Sequence, residues 1–316
     1  MDKTAATRDV PGRADSADDL LREISQALVI ACVKQQELAE ECGTMRQQLQ
    51  EANAALEASL ARERHITDVL QRPLTLEVPE GAFPGLSLTT LYEPALSEAE
   101  VGGDFFDAFA LPQGRVALAV ADTSGKGLSA AARAIQVKDV LRAFTREYPY
   151  SLTTVVARLN DFVCDTLHFG EQNGEGFTCL GLAILDPATG EGAVVSAGCE
   201  PPLIVRAHGG QVEIIEFPGL PLGIQHQELY TATPLHLAPG DTLILVTDGI
   251  TEARHDDEFL GQEGLVTLAK QALTAPASGS DAATLRAAGK AILEGARAFG
   301  TGILRDDACL LLARRN

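Results

Sequence analysis

The sequence predicts an α+β domain, with helices packed outside antiparallel sheet, preceded by a long α-helical coiled coil. Three observations predict it. A heptad pattern runs between residues 20 and 72, Pro73 follows it, and the remaining chain has strands in hairpins with blocks of helix between them. Strict alternation of strand and helix, which is typical of a parallel sheet, is absent. We therefore expect a flexible acidic N-terminus at 1–19, a coiled-coil dimerisation and regulatory helix at 20–72, and a globular domain at 73–316.

The predicted coiled coil is defined by residues spaced alternately by three and four from Leu21 to Leu70. Twelve of these fifteen positions are apolar, which is the heptad pattern of a coiled coil. A second copy of the chain is the simplest partner for such a stripe, so we expect a homodimer. The alternative is a helix packed on its own globular domain, and Pro73 is expected to end the helix in either case. The expected dimer contacts include Leu28, Leu38, Met45, Leu49 and Leu56.

The overall composition argues against several classes of function. The 316 residues carry 25 Lys and Arg against 44 Asp and Glu, a formal net charge of −19. Nucleic-acid binders and proteins that bind anionic membranes need a surplus of Lys and Arg, so we expect neither partner. The sequence has no run of about 18 apolar residues, the length that a membrane-spanning helix needs. The six cysteines form no C-x-x-C pair, so we expect reduced thiols in a cytoplasmic protein.

Hydrophobic periodicity predicts the order of elements in the globular domain. Helical periodicity predicts helices at 128–148, 152–166 and 285–298. The segment from Asp186 to Gly190, with its proline and glycine, predicts a hairpin turn between two strands. Alternating or continuous apolar runs predict strands at 86–92, 115–121, 179–185, 192–196, 203–206, 212–217, 242–247 and 308–314.

The residues that can carry chemistry lie in four acidic turns. These are VGGDFFD at 101–107, VADTSGKG at 120–127, VTDG at 246–249 and RDDAC at 305–309. In three of them a carboxylate stands at the edge of an apolar strand, where it must be solvated, paired or bound to a metal. A single Asp-Gly is more often a plain turn, but four such motifs together favour a shared site.

Few cations accompany these acidic turns in the sequence, only Lys126 and Arg305. Converging carboxylates would repel one another unless a divalent cation held them together. Ligands that are all oxygen atoms favour Mg²⁺ or Mn²⁺ over zinc. The segment from Gly125 to Gly127 precedes a predicted helix, where backbone amides can bind a phosphate group. The sequence has no Walker A, kinase or serine-hydrolase motif.

Eight motifs follow one another through residues 73–316: GGDFFD, VADTSGKGLSAA, FTCLGLAILD, SAGCEPPLI, GLPLGI, GDTLILVTDGITEA, FLG and DDACLLL. In this order they resemble the SpoIIE-type bacterial serine phosphatases of the metal-dependent protein phosphatase (PPM) superfamily. The resemblance implies an αββα sandwich with a centre of two Mn²⁺ or Mg²⁺ ions between its sheets. It also implies hydrolysis of phosphoserine or phosphothreonine on a partner protein, by a water that the metal ions activate.

The resemblance assigns metal-binding roles to the aspartates of the four turns. It implies that Asp122 bridges both ions and that the backbone carbonyl of Thr123 binds one of them. Asp248 and Asp306 resemble ligands of the other ion, and Asp104 an acidic residue that binds directly or through water. The residues expected to be catalytic are Asp104, Asp122, Asp248 and Asp306. The expected metal-binding set is Asp104, Asp122, Thr123, Asp248, Asp306 and Asp307, the last as an alternative ligand or as support for the ligands.

The resemblance extends to substrate binding and has local departures. Gly125, Lys126 and Gly249 are expected to shape the turns and to bind the substrate. Cys199 and Glu200 stand where the family commonly has His and Asn. Neither is an expected ligand. Because the four acidic motifs are intact, we expect an active enzyme, although no residue clearly matches the family's general acid.

The resemblance also implies particular partners. The usual substrates of the family are small anti-sigma-factor antagonists of the STAS type, and a helical linker often relays a signal. We therefore expect a separate activator or sensor protein to dock on the N-terminal coil. Two alternatives remain: a catalytically silent coiled-coil scaffold that uses the phosphatase fold for binding, and a metal-dependent hydrolase of another phosphoester.

Overall fold

The computed structural model describes residues 14–75, 78–95, 102–170, 176–216, 219–274 and 280–316. The chain forms two compact units, residues 1–63 and residues 64–316. The predicted division near residue 72 thus falls about nine residues later than the division between the units. Most of the predicted flexible N-terminus, residues 1–13, lies outside the described residues.

One long helix, α1 (Ala14–Leu74), contains the whole heptad pattern. It begins six residues before the predicted coil and ends one residue after Pro73, which lies in its last turn. The predicted dimer contacts are exposed in the single chain, from 59% for Leu56 to 67% for Met45. Such a continuous apolar stripe is expected to be covered by another helix. Within the described part of the chain, no helix is long and apolar enough to cross a membrane.

The second unit is built on two five-stranded antiparallel sheets. The first has the order β1-β12-β9-β6-β7 and the second the order β2-β3-β4-β5-β8, while β10 and β11 form a separate hairpin. The strands are β1 (Leu86–Glu93), β2 (Phe105–Ala110), β3 (Val116–Thr123), β4 (Thr178–Leu185), β5 (Glu191–Ala197), β6 (Leu203–Val205), β7 (Val212–Ile214), β8 (Thr233–His236), β9 (Thr242–Val246), β10 (Arg254–His255), β11 (Glu258–Phe259) and β12 (Ala308–Arg315).

Helices cover the outer faces of both sheets. The helices of this unit are α2 (Leu128–Glu147), α3 (Leu152–Gly170), α4 (Asp248–Thr251), α5 (Gly261–Thr274) and α6 (Asp281–Phe299). One apolar core lies between the sheets, a second between α2, α3 and the β2–β8 sheet, and a third between α5, α6 and the β1–β7 sheet. The layers are therefore helix, sheet, sheet, helix, and the predicted αββα sandwich is confirmed.

Six of these elements were absent from the sequence prediction: the longer β2, β8 and α5, and the short α4, β10 and β11. Strand β2 has the sequence FFDAFA, and its first five residues are buried, including Asp107. It therefore lacks the polar alternation by which a half-buried strand is recognised. Helix α5 begins with two glycines in four residues, Gly261 and Gly264, and glycine lowers helix propensity.

Candidate active site

The two sheets bring three of the four acidic turns to one cavity. The fourth turn, at 246–249, does not line its wall, but Asp122 acts electrostatically on Asp248 of that turn. Asp104 precedes β2, Asp122 lies near the end of β3, and Asp306 with Asp307 precedes β12. The cavity has a volume of about 250 Å³. Its walls are formed by Ala95, Gly102, Gly103, Asp104, Asp122, Ser124, Gly125, Lys126, Phe177, Asp306 and Asp307. Asp104 and Asp306, about 200 positions apart in the sequence, thus face one space.

Asp104 is held between the two sheets by a chain of hydrogen bonds. The hydroxyl of Thr247 donates to its carboxylate (2.7 Å), and the amide of Cys309 donates to the same hydroxyl (2.9 Å). Asp104 is 5% exposed. A buried carboxylate held in one orientation is ready to accept a ligand on its remaining oxygen lone pairs.

Close backbone contacts explain two glycines of the motifs. A Cβ on Gly103 would lie 2.1 Å from the carbonyl oxygen of Thr123, and one on Gly249 would lie 1.9 Å from that of Asp307. Both positions therefore accept only glycine without movement of the backbone. Gly249 does not line the cavity. Its observed contact instead lets α4 approach the Asp306–Asp307 turn.

The carboxylates of the cavity disfavour one another's charge. Burial, with the neighbouring Asp122, raises the pKa of Asp104 well above its usual range. Burial also raises the pKa of Asp122, with Asp306 and Asp307 adding to the effect. Asp248, the first residue of α4, is not part of the cavity wall, but burial and then Asp122 raise its pKa to about 7. A neighbouring cation would reverse these shifts.

The Asp306–Asp307 turn has one exposed and one enclosed carboxylate. Lys126 lies 4.0 Å from Asp306, and both side chains are more than half exposed. Asp307 accepts a hydrogen bond from the amide of Ala95 (2.7 Å). Burial nevertheless raises the pKa of Asp307, and burial together with Asp307 raises the pKa of Tyr92.

Asp107, in the first acidic motif, has a different environment from Asp104. It accepts two hydrogen bonds from the guanidinium of Arg142 on α2, at 2.5 and 2.6 Å. It is 4% exposed and does not line the acidic cavity. Its charge is therefore already paired within the protein, and it stabilises the contact between β2 and α2.

The donor set fits a hard divalent cation. All side-chain donors in the cavity wall are oxygen atoms except the ammonium of Lys126, and Mg²⁺ and Mn²⁺ prefer such ligands. Among the described residues, however, no three His, Cys, Asp or Glu side chains are grouped so that they could hold one ion as they stand. Metal binding would thus require the carboxylates to draw closer together.

Three residues that act on the aspartates of the site were not predicted from the sequence. Thr247, beside the predicted Asp248, positions Asp104, and Tyr92 lies against Asp307 from the end of β1. Glu200 adds negative charge near Asp248. The pattern TDG offered a signal for Thr247, since a hydroxyl before a strand-end aspartate can bond to buried neighbours. Tyr92 and Glu200 depend on contacts between distant segments.

The fold and this acidic cavity define the class as a PPM-type phosphatase domain. The chain belongs to the SpoIIE family: the family model described as Stage II sporulation protein E (SpoIIE) matches residues 112–316. The resemblance found in the sequence is therefore confirmed. The matched range contains Asp122, Asp248 and Asp306, whereas Asp104 precedes it.

Two curated proteins and one solved structure illustrate the relationship. The chain is 27% identical to the phosphoserine phosphatase RsbU of Bacillus subtilis, over 65% of this chain and 57% of RsbU. It is 27% identical to Protein IcfG of Synechocystis, over 57% of this chain and 31% of that protein. The match therefore spans less than two thirds of either relative. A crystal structure of the RsbU and RsbW domains of Rv1364c from Mycobacterium tuberculosis aligns with TM-score 0.64 and 26% identity, covering 77% of this chain and 63% of that one.

Proposed function

We propose that this protein is a metal-dependent protein serine/threonine phosphatase. The observation that carries the proposal is a group of three carboxylates, the buried Asp104 and the half-buried Asp122 and Asp248, whose pKa values are raised by burial and by neighbouring carboxylates. Such a group is stable in its charged form only beside a cation. The similarity of the chain to the phosphoserine phosphatase RsbU supports the same activity for this protein.

Two Mn²⁺ or Mg²⁺ ions are the proposed cofactors. The residues that would hold them are Asp104, Asp122, Asp248, Asp306 and the carbonyl of Thr123, with Asp307 as support or alternative ligand. When bound, such ions supply an activated water and neutralise charge on the phosphoryl oxygens. Thr247 keeps the Asp104 carboxylate oriented through its hydrogen bond of 2.7 Å.

The cavity wall offers one cation and a glycine-rich turn for the substrate. Lys126 is exposed at the rim and lies 4.0 Å from Asp306, where its ammonium can attract a phosphorylated side chain. Gly125 and Lys126 precede the N-terminus of α2, and amides at a helix N-terminus attract phosphate. We assign them to substrate binding, whereas Gly249 has a supporting role through its contact with Asp307.

The proposed substrate is a phosphorylated regulatory protein, with a STAS-type antagonist as the first candidate. The cavity opens at an exposed rim, as a phosphoserine on a folded partner requires. The exposed apolar stripe of α1 supports a homodimer and a separate activator that docks on the coil. We place the protein in the cytoplasm, because its six cysteines have no disulfide partner.

Hydrolysis of p-nitrophenyl phosphate with added Mn²⁺ tests the proposed activity. We expect turnover that requires the metal and that Asp248→Asn abolishes. The matched control is Asp256→Asn, since Asp256 lies in the following hairpin with a side chain 94% exposed. Turnover that survives Asp248→Asn would contradict the proposed metal site. Specific binding of phosphorylated and unphosphorylated partners without any turnover would favour the scaffold.

The dimer has a separate test in the full-length chain. Proline at two positions of the stripe, Leu38→Pro with Leu49→Pro, interrupts the helix at a cost of about 3 kcal/mol each. We expect sedimentation to show a monomer and the rate of hydrolysis to change. A chain that stays dimeric with unchanged turnover would contradict both the interface and its regulatory role.

A further inference from the structure

The last turn of α1 joins the rest of its compact unit through the packing of Leu74, which is fully buried in the core beside α2, and through one buried lysine. Lys138, on α2, is 6% exposed, and its ammonium donates hydrogen bonds to three backbone carbonyl oxygens. Two belong to the end of α1, those of Pro73 (2.6 Å) and Leu74 (3.1 Å), and the third is that of Phe106 in β2 (2.9 Å). An ammonium has three donors, so the main chain of two distant segments uses all of them.

This arrangement explains why a cation is buried here. Burial lowers the pKa of Lys138, and the nearby Asp107 opposes that change. The last carbonyls of a helix have no partner within the helix and carry its negative dipole end. Lys138 satisfies these carbonyls and is itself satisfied by them, which makes its burial tolerable.

The third contact of Lys138 leads towards the acidic cavity. Phe106 follows Asp104 by two residues, and the carbonyl of Gly103 accepts a hydrogen bond from the amide of Thr123 (3.2 Å). A shift of β2 at Phe106 would therefore move Asp104 relative to β3 and to Thr247. Arg142, one turn further along α2, binds Asp107 of the same strand.

A cavity of about 610 Å³ lies beside this joint, with Pro73, Phe83, Ile135 and Lys138 in its wall. Side-chain packing therefore does not fix Pro73 on that side. We propose that Lys138 is a positioning residue that couples the end of α1 to β2 and thereby sets the position of Asp104. This inference rests on the proposed phosphatase function and identifies a residue through which the coil regulates it.

A double-mutant cycle of four full-length variants tests the coupling. Lys138→Met keeps an unbranched apolar side chain but removes all three donors, and it is combined with the coil-breaking pair Leu38→Pro and Leu49→Pro. If Lys138 couples the coil to the site, the coil break should change kcat about fivefold with Lys138 present and little in the Lys138→Met chain. Lys138→Arg, which keeps a cation and donors, should recover part of the response. Lys290→Met, on the exposed face of α6, should leave it intact.

Hydrogen exchange of the metal-free chain gives a readout that is independent of activity. Lys138→Met should speed exchange of the amides of residues 71–75 and 104–108 together. The coupling would be overturned if breaking the coil changed kcat by the same factor with and without Lys138. It would also be overturned if breaking the coil left kcat unchanged. Absence of metal-dependent turnover in the unaltered chain would instead contradict the proposed function. In that case the role of Lys138 would still be overturned if Lys138→Met left the exchange rates of amides 104–108 unchanged.

Discussion

Buried aspartates in two regions of this protein have opposite electrostatic environments. Asp241, at the start of β9, accepts hydrogen bonds from the guanidinium of Arg206 (2.8 Å) and from the amides of Ala207 (2.8 Å) and Ala238 (3.0 Å). Burial alone would raise the pKa of Asp241, but these donors lower it below its usual value. In the acidic cavity, burial and neighbouring carboxylates raise the pKa of Asp104 and Asp122 instead.

The difference separates carboxylates that stabilise the fold from carboxylates that await a ligand. Asp107 belongs with Asp241, because Arg142 pairs with it, although Asp104 is only three residues away. A protein can supply arginines to buried aspartates, and this one does so twice. The unpaired group in the cavity is therefore a destabilising feature of the metal-free fold, and such features concentrate at functional sites.

Among substitutions of these aspartates, Asp122→Asn is expected to have the largest effect, which is on catalysis. Loss of a carboxylate that faces both Asp104 and Asp248 should lower kcat for p-nitrophenyl phosphate about a thousandfold, or about 4 kcal/mol in the barrier. Stopped assays at saturating Mn²⁺ measure it. Asp139→Asn, on the exposed face of α2, is the matched control. Activity within tenfold of the unaltered chain would place Asp122 outside the catalytic group.

A smaller effect is expected where the aspartate is already paired. Asp107→Asn removes the charge that Arg142 binds, so the free energy of unfolding should fall by about 2 kcal/mol. This loss is smaller than for a fully buried pair because the side chain of Arg142 is 36% exposed. Urea denaturation measures this loss. Asp257→Asn serves as the control, since Asp257 pairs with Arg254 while fully exposed, and should change little. Equal effects of the two substitutions would show that the buried pair contributes no more than the exposed one.

A third effect is the pH dependence of the stability of the metal-free protein. The pKa of Asp248 is raised from 3.8 to about 7, so the folded state binds more protons than the unfolded state between these values. Its contribution to the free energy of unfolding therefore falls as pH rises from about 4 to about 7. Denaturation of the metal-free chain at several pH values should show a shallower slope for Asp248→Asn. An unchanged slope would mean that Asp248 titrates normally.

The sequence predicted the layers of the fold and the four acidic turns because both depend on local patterns. Apolar runs marked most strands, and the hairpin at 186–190 matches the antiparallel pairing of β4 with β5. Strand β2 was missed because burial on both faces hides its period. The pairing of Asp107 with Arg142 was missed for another reason: the two residues are 35 positions apart.

The family resemblance assigned metal binding to Asp104 and a structural or supporting role to Asp107, but the physical cause of that difference was beyond the sequence. Both belong to GGDFFD, and only the three-dimensional contacts show that one faces carboxylates and the other an arginine. Lys138 gave no signal at all, since its acceptors are backbone carbonyls, which every residue carries. Local motifs thus predict which residue types meet, whereas long-range contacts decide what each one does.

Calorimetric titration of the full-length chain with Mn²⁺ tests most directly whether the carboxylates of the cavity form a cation site. We predict saturable binding of two ions per chain, loss of binding in the Asp122→Asn chain, and unchanged binding in the Asp107→Asn chain. Absence of saturable binding in the unaltered chain, or binding that Asp122→Asn leaves intact, would contradict the claim that these carboxylates form a cation site.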